Sequence, residues 1–370
     1  MKTVRRLFYA DILSSVAFVS LAFLSLFFFI DFVDAISDSA RRGNSALVAA
    51  ATSLLEVPSH FYELAPISVL IGTIYALSRL AQSSEFTILR TGGLGPGRAL
   101  RLLATLGLAF GLLTFFVGDY LAPFSENRAV QLKALTRGGL GLGRTGTWLK
   151  DRQTTPEGER SYSVNVARTG THGEMLGIKI FEFDSDDRLI QQISADSGIV
   201  EGQTTWTLSN VTLTHWIAGV ETRPPQVTSE TLPRWQWNGG LSADVVASAL
   251  LPLATMSTLE LWRYIGHLDS NEQAAQAYEI QFWKRALYPF ACLVMVGLAL
   301  PFAYLHARAG GISLKVFGGI MLGITFMLLN NLAGHLGLLR NWTPWIVAAA
   351  PSALFLLMSM AAFAWLVRYR

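Results

Sequence analysis

The sequence predicts an α-helical membrane protein with six transmembrane helices and a water-facing β domain inserted between the third and the fourth (α+β). Three observations carry this. Six windows of mostly apolar residues lie at 12–30, 61–80, 102–121, 287–305, 316–333 and 345–367, each close to the ~20 residues that span a bilayer. Between the third and fourth windows, residues 148–237 are polar and alternate in the two-residue rhythm of strands. That block far exceeds the roughly 15 residues beyond which structureless connections are uncommon. Charged residues make up 15% of the chain, against about 25% in a typical soluble domain, and the deficit falls in the two apolar ends.

The first window is too long for a signal-peptide core and has no small-residue cleavage site, so it is read as a permanent anchor. Lys2, Arg5 and Arg6 precede it. Arg79, Arg90, Arg98 and Arg101 sit at or between the second and third windows, Arg308 and Lys315 separate the fourth from the fifth, and Arg368 and Arg370 end the chain. Short loops on the other side hold Arg41, Arg42 and Arg340, with Asp31, Asp34, Asp38 and Glu56 nearby. The positive-inside rule then places both termini in the cytoplasm and the β block outside, which in a two-membrane bacterium is the periplasm. A formal charge of +3 provides no basic field for nucleic acid. The sole cysteine, Cys292, lies in the fourth window, so the β block has no disulfide and depends on its own core.

Taken in order, the first window runs into Asp31 and Asp34. Residues 47–57 are apolar but too short to cross, and are expected to lie along the outer interface. Pro58 and Pro66 bracket the start of the second window. Glu63 between them is either a functional intramembrane carboxylate or a cap at headgroup depth. Ser83 or Ser84 can cap a short cytoplasmic helix over about 82–93, with Glu85 in its first turn. Phe86 shares a face with Leu89 and Arg90, and Gly92 and Gly93 end the helix. An ordinary hairpin loop is the plainer reading, although it needs only a few residues.

After the third window, Pro123 opens a polar stretch with Glu126, Arg128, Lys133 and Arg137, which extends the third helix beyond the membrane until the glycines at 138–143 break it. Those glycines follow no strand and open no helix, so they read as a linker and not as a dinucleotide fingerprint. Alternation follows in Tyr162, Val164 and Val166, in Leu176, Ile178, Ile180, Phe181 and Phe183, in Leu189, Ile190 and Ile193, and in Trp206, Leu208, Val211, Leu213 and Trp216. Turn signals separate these runs, as expected of a sandwich or jelly roll whose interior is a tight core or an apolar groove. Residues 255–280 read as a charged helical hairpin. Phe282-Trp-Lys-Arg marks the outer interface, and Gly318, Gly319 and Gly323 permit close helix packing in the fifth window.

Several chemistries lack their motifs. There is no Gly-x-x-x-x-Gly-Lys-Ser/Thr loop, no His-Glu-x-x-His and no Gly-x-Ser-x-Gly. His60, His172, His215, His267, His306 and His335 are scattered, with no cysteine or carboxylate at metal-ligand spacing, so no metal site is expected. The chain is read as non-catalytic.

Phe32-Val-Asp after the first window, Val57-Pro before the second, and Leu80-Ala-Gln-Ser-Ser-Glu running on to Arg90-Thr-Gly-Gly are followed in order by Leu121-Ala-Pro, Trp148-Leu-Lys-Asp, and Phe282-Trp-Lys-Arg with Pro289. In that order and spacing the chain resembles the LptF/LptG family of permeases, which extract lipopolysaccharide from the bacterial inner membrane for transport to the outer membrane. The resemblance covers essentially the whole length. It implies a periplasmic β-jellyroll over 146–240, flanked by a transmembrane part at 1–137, a periplasmic helical connector at 241–281 and a second transmembrane part at 282–370.

The resemblance also implies roles and partners. The cytoplasmic helix would dock into an LptB-type ATPase dimer through Glu85, Phe86, Leu89, Arg90 and Gly92. ATP and magnesium would be bound by that ATPase, and no cofactor by this chain. An LptF-type permease would complete a heterodimer around the lipid, and the single helix of an LptC-type protein would lie beside the first span. Basic residues at the outer rim, here Arg41, Arg42, Arg128 and Lys133, would face substrate phosphates. The aromatic helix side of Phe27 and Phe32, ending in Asp31, reads from the residues themselves as one wall of a lipid cavity with a wet mouth. One departure stands out: Asp31 occupies the place of a lysine usual in the family, and Ser37 and Asp38 stand where further lysines are usual. Arg128 and Lys133 are equally readable as solvated charges on an extended helix. Alternative functions are the paired LptF-type permease, another lipid exporter, or a membrane scaffold that presents its β domain to a periplasmic partner.

Overall fold

The computed structural model describes residues 2–40, 45–83, 95–137, 140–141, 146–155, 158–169, 174–201, 204–217, 226–242, 245–246, 249, 253, 255–271, 273–304 and 311–368. Its elements run α1 (Lys2–Ala40), α2 (Ala46–Gln82), α3 (Pro96–Phe116), a π-helical turn (Val117–Leu121) and α4 (Ala122–Arg137). Seven strands follow: β1 (Leu140–Gly141), β2 (Thr147–Thr155), β3 (Gly158–Thr169), β4 (Met175–Phe183), β5 (Leu189–Glu201), β6 (Thr205–Ile217) and β7 (Gln226–Asn238). Then come α5 (Thr258–Ser270), α6 (Gln276–Tyr304), α7 (Ile312–Arg340) and α8 (Pro344–Arg368). Among the described residues, six helical segments are long and apolar enough to cross a membrane, one for each predicted window. The chain forms two compact units, Met1–Glu126 with Gln276–Arg370, and Asn127–Ala275.

In the first unit α2 is the central helix. It is buried almost continuously from Leu64 to Ile74, and packs on α1, α6 and α7. Gly319 and Gly323 of α7 lie against Ile74 and Ile67 of α2, where a Cβ would come within 2.7 and 2.9 Å of the isoleucine side chains. The expected close approach is therefore present at those two glycines, while Gly318 faces open space.

Two helix boundaries differ from the sequence reading. Residues 47–57 do not form a separate interfacial helix: they are the first turns of α2, which passes through Pro58 and Pro66 without a break. Each proline keeps a helix-compatible φ and removes one N–H, and no glycine stands nearby to stop the helix. Both expected arms over 255–280 are helical, but the second is not a separate helix. The first arm is α5, opened by a capping box in which Ser257 and Glu260 satisfy each other's backbone N–H. The second arm is the beginning of α6, continuous with the fourth span.

The second unit holds one antiparallel meander. Its strand order is β3-β4-β5-β6-β7, with β1 and β2 both paired to the outer side of β3. Strict alternation fails along one line across this sheet. The ladder skips Ala167, Gly177, Asp196, Asn210 and Pro233, one residue on each of five adjacent strands. Gly177 and Asn210 have φ of 65° and 53°, a left-handed conformation that glycine, and asparagine less readily, tolerates. Each reverses the pleat, so the buried positions change parity across the line. Trp206 and Leu208 are buried on one side of it, and Val211 and Leu213 on the other.

The line is a crease on which the sheet folds over itself. Tyr162 shares a row with Thr228 of β7, nine residues and so about 30 Å along the strand from Trp237. Yet the Tyr162 and Trp237 ring centroids lie 5.6 Å apart, and Trp237 stands edge-on to Trp206 at 5.5 Å. Asp151 of β2 accepts a 2.6 Å hydrogen bond from the Gly240 N–H just beyond β7, which brings the two outermost strands together at that end. The interior is filled there, since Trp206 is fully buried and Trp237 nearly so. At its margin Arg160 pairs with the buried Glu182, to which the Tyr162 hydroxyl also donates. Burial, with the charge of Glu182 beside it, pushes Tyr162 up to about 12 and keeps it a donor.

Candidate functional site

The C-terminal half of α1 carries the most distinctive polar geometry of the membrane unit. Phe27 and Asp31 are four residues apart and share the helix face toward α2. There His60 Nε2 lies 2.6 Å from Asp31 Oδ2, and the Phe27 and His60 ring centroids are 5.0 Å apart. A carboxylate only accepts hydrogen bonds, so Nε2 carries the proton. Phe28 and Phe32 stack on the neighbouring face, with centroids 6.0 Å apart and planes 7° from parallel. Asp31 is thus engaged by His60, a partner 29 residues away that sequence spacing does not reveal.

A second node joins α2, α6 and the π-helical turn. The Ala122 N–H bonds the Val117 carbonyl, a five-residue step. The same step from Gly118 lands on Pro123, which has no N–H, so the Gly118 carbonyl lacks a helical donor. Arg285 supplies one: its Nη1 donates to Gly118 O at 2.7 Å, and the side chain is buried. Its guanidinium carbon lies 5.7 Å from the centroid of the Tyr62 ring. Tyr62 in turn packs on Tyr288 at 4.8 Å, and the Tyr288 hydroxyl donates to the Glu63 carbonyl at 2.6 Å. Position 118 requires glycine, because a Cβ would fall 2.1 Å from the Tyr62 ring. Within Phe282-Trp-Lys-Arg, Arg285 is therefore buried among the helices, while Trp283 is exposed.

The remaining anticipated residues are placed as follows. The Glu63 side chain is exposed on α2. Arg128 is exposed and Lys133 partly so, both on α4. Five residues apart on a helix, they point about 140° from one another and do not share one face. Arg41 and Arg42 lie outside the described residues, as do Glu85, Phe86, Leu89, Arg90 and Gly92. The sequence reading takes His60 as one of the scattered histidines and Arg285 as part of an interfacial motif, and names neither Tyr62 nor Tyr288. The signal available for Arg285 was the proline at 123, which orphans a carbonyl one π-helical step earlier.

The model of a protein family described as "Lipopolysaccharide export system permease LptF/LptG" matches residues 6–368. The chain belongs to the LptF/LptG family. Among its relatives, the lipopolysaccharide export system permease protein LptG of Escherichia coli strain K12 is 28% identical over 340 residues, 91% of each chain. The protein of the same name from a second Escherichia coli strain, O6:H1, matches to the same extent. The Haemophilus influenzae LptG is 26% identical over 307 residues, 82% of each chain. In LptF/LptG terms, the Asp31–His60 pair, Phe27 and the Arg285 node all belong to the membrane part of the permease. The creased sheet is the domain carried between its third and fourth spans.

Proposed function

We propose that this permease subunit is the LptG-type half of an ATP-driven lipopolysaccharide exporter. The observation that carries the reading is the family match over residues 6–368, reinforced by relatives named LptG that align over 82–91% of the chain. The subunit is a membrane permease and no enzyme. ATP and magnesium are bound by a separate LptB-type ATPase dimer, and the segment over 82–93, which includes Glu85, is the ATPase dock. An LptF-type permease completes the heterodimer, and an LptC-type single-span protein joins beside α1. Both termini are cytoplasmic and the creased sheet is periplasmic, as the distribution of Lys and Arg argues.

In this reading lipid A meets an apolar wall that includes Phe27 and Phe32. Arg41, Arg42, Arg128 and Lys133 supply cations for its phosphates. Asp31 stands at the rim, where its pairing with His60 fixes the outer end of α1 and draws its negative charge away from those phosphates.

Purification of the tagged chain from its native membrane tests the assembly. An ATPase without spans of its own and a second permease of the same family are expected to co-purify. A chain recovered intact without any ATPase contradicts the proposal.

A further inference from the structure

An ion pair and a histidine–carboxylate hydrogen bond hold α1 to α2 at opposite ends of one antiparallel contact. Asp11 of α1 pairs with Arg79 of α2, and Asp31 of α1 pairs with His60 of α2. Between them the backbones touch, since a Cβ on Gly72 would lie 2.6 Å from the Cα of Val16. Phe8, Ile12 and Val16 are buried on α1, and Leu70, Ile74 and Leu77 on α2. Asp11 and Asp31 are separated by about 30 Å of helix, close to the thickness of a bilayer's hydrocarbon core. Asp11 stands at one edge of that stretch, where its pair with Arg79 marks one position of α1 on α2. By contrast, α1 meets α3 through a neutral hydrogen bond, Tyr9 Oη to Thr105 Oγ1 at 2.6 Å.

We infer that α1 and α2 move as a single lever, with Asp11 and Arg79 as positioning residues that carry displacement of the 82–93 segment to Phe27 and Asp31. This rests on the proposed ATPase dock. Arg79 lies in the last turn of α2, immediately before that segment. Sliding by one helical turn, about 5.4 Å, breaks both polar contacts together and unseats Val16 from Gly72. A push at the Gln82 end therefore reaches the outer end of α1 undiminished. The Asp11–Arg79 pair couples ATP hydrolysis to lipid release while touching neither nucleotide nor lipid.

The test uses the complete exporter in proteoliposomes, with Cys292→Ala in this chain as the parent. The readout is lipopolysaccharide released per ATP hydrolysed. In Asp11→Cys/Arg79→Cys capped with N-ethylmaleimide, this ratio is expected to fall about fivefold or more, the range of measured couplings between sites, with hydrolysis at the parental rate. Bridging the same two cysteines with bis(maleimido)ethane is expected to restore the ratio. The exchange Asp11→Arg/Arg79→Asp, which keeps the pair and needs no cross-linker, is expected to behave as the parent. A capped variant with the parental ratio overturns the lever, as does a bridged variant less active than the capped one, or a charge exchange as defective as Asp11→Asn. A parent that hydrolyses ATP and releases no lipid refutes the exporter reading itself, so the two failures are distinguishable.

Discussion

Arg285 completes the hydrogen bonding that Pro123 denies to Gly118. The proline removes the N–H that the π-helical step would offer the Gly118 carbonyl, and the Arg285 guanidinium fills the vacancy at 2.7 Å. Arg285→Met is expected to lower the stability of the detergent-solubilised protein by about 1–3 kcal/mol, the usual cost of orphaning a buried polar group. In a Pro123→Ala background, where residue 123 regains its N–H, the same substitution is expected to cost less. Thermal unfolding of the four proteins measures the coupling, and equal costs in both backgrounds contradict this account of the π-helical turn.

Glu85 is the acidic residue proposed for the ATPase dock. Glu85→Lys is expected to weaken ATPase binding by about 2–5 kcal/mol, the scale for removing one partner of an interfacial charge pair. Co-purified ATPase per permease measures it. An unchanged ratio, with unchanged transport, removes Glu85 from the dock.

Arg128 and Lys133 point to different sides of α4, so their proposed contacts with lipid phosphates need not be equal. Photo-crosslinkers placed singly at 128 and 133 are expected to capture lipopolysaccharide at one or both positions. A crosslinker at the exposed turn residue Asp186 is expected to capture little. Equal yields at all three positions favour solvated charges with no substrate role.

His267 is expected to give the sheet-bearing unit a pH dependence. Its Nε2 donates to the Lys150 carbonyl at 3.3 Å, and Asn271 Nδ2 lies 3.3 Å from Nδ1. Burial lowers its pKa below the ordinary value. Just below the unfolded pKa of about 6.5, the unfolded chain binds a proton that the folded chain does not. Stability therefore falls as pH drops through that region and is regained as pH rises. Hydrogen exchange of α5 in the whole protein is expected to speed up between neutral and mildly acidic pH, after correction for intrinsic rates. His267→Gln is expected to flatten the response. An identical pH response in the variant assigns the effect to another group.

The six spans were legible because bilayer thickness imposes a length and an apolar content that few other structures share. Helix ends were less legible. Nothing between Ala46 and Pro58 stops a helix, and hydropathy shows where lipid begins but not where hydrogen bonding ends. The β domain announced itself through alternation, and its crease is visible in hindsight as the three-residue step from Leu208 to Val211 around Asn210. Strict alternation has no place for a left-handed residue inside a strand, so a sandwich or jelly roll was expected but the crease that folds it was missed. The site was the least legible part. Asp31 showed as a departure from the expected lysine, but His60 meets it only when α1 and α2 pack antiparallel, and Asp11 finds Arg79 in the same way. Such pairs depend on tertiary register, which no local pattern encodes.

The central claim is that this chain is a working half of a lipopolysaccharide exporter. Its most direct test is transfer of lipopolysaccharide from proteoliposomes that hold the permease pair, its ATPase and the single-span partner, to a periplasmic acceptor protein. Release is expected with ATP and magnesium, to be absent with a non-hydrolysable analogue, and to be lost when this chain is omitted. An assembled complex that hydrolyses ATP normally yet leaves every lipopolysaccharide molecule in the liposome contradicts the account.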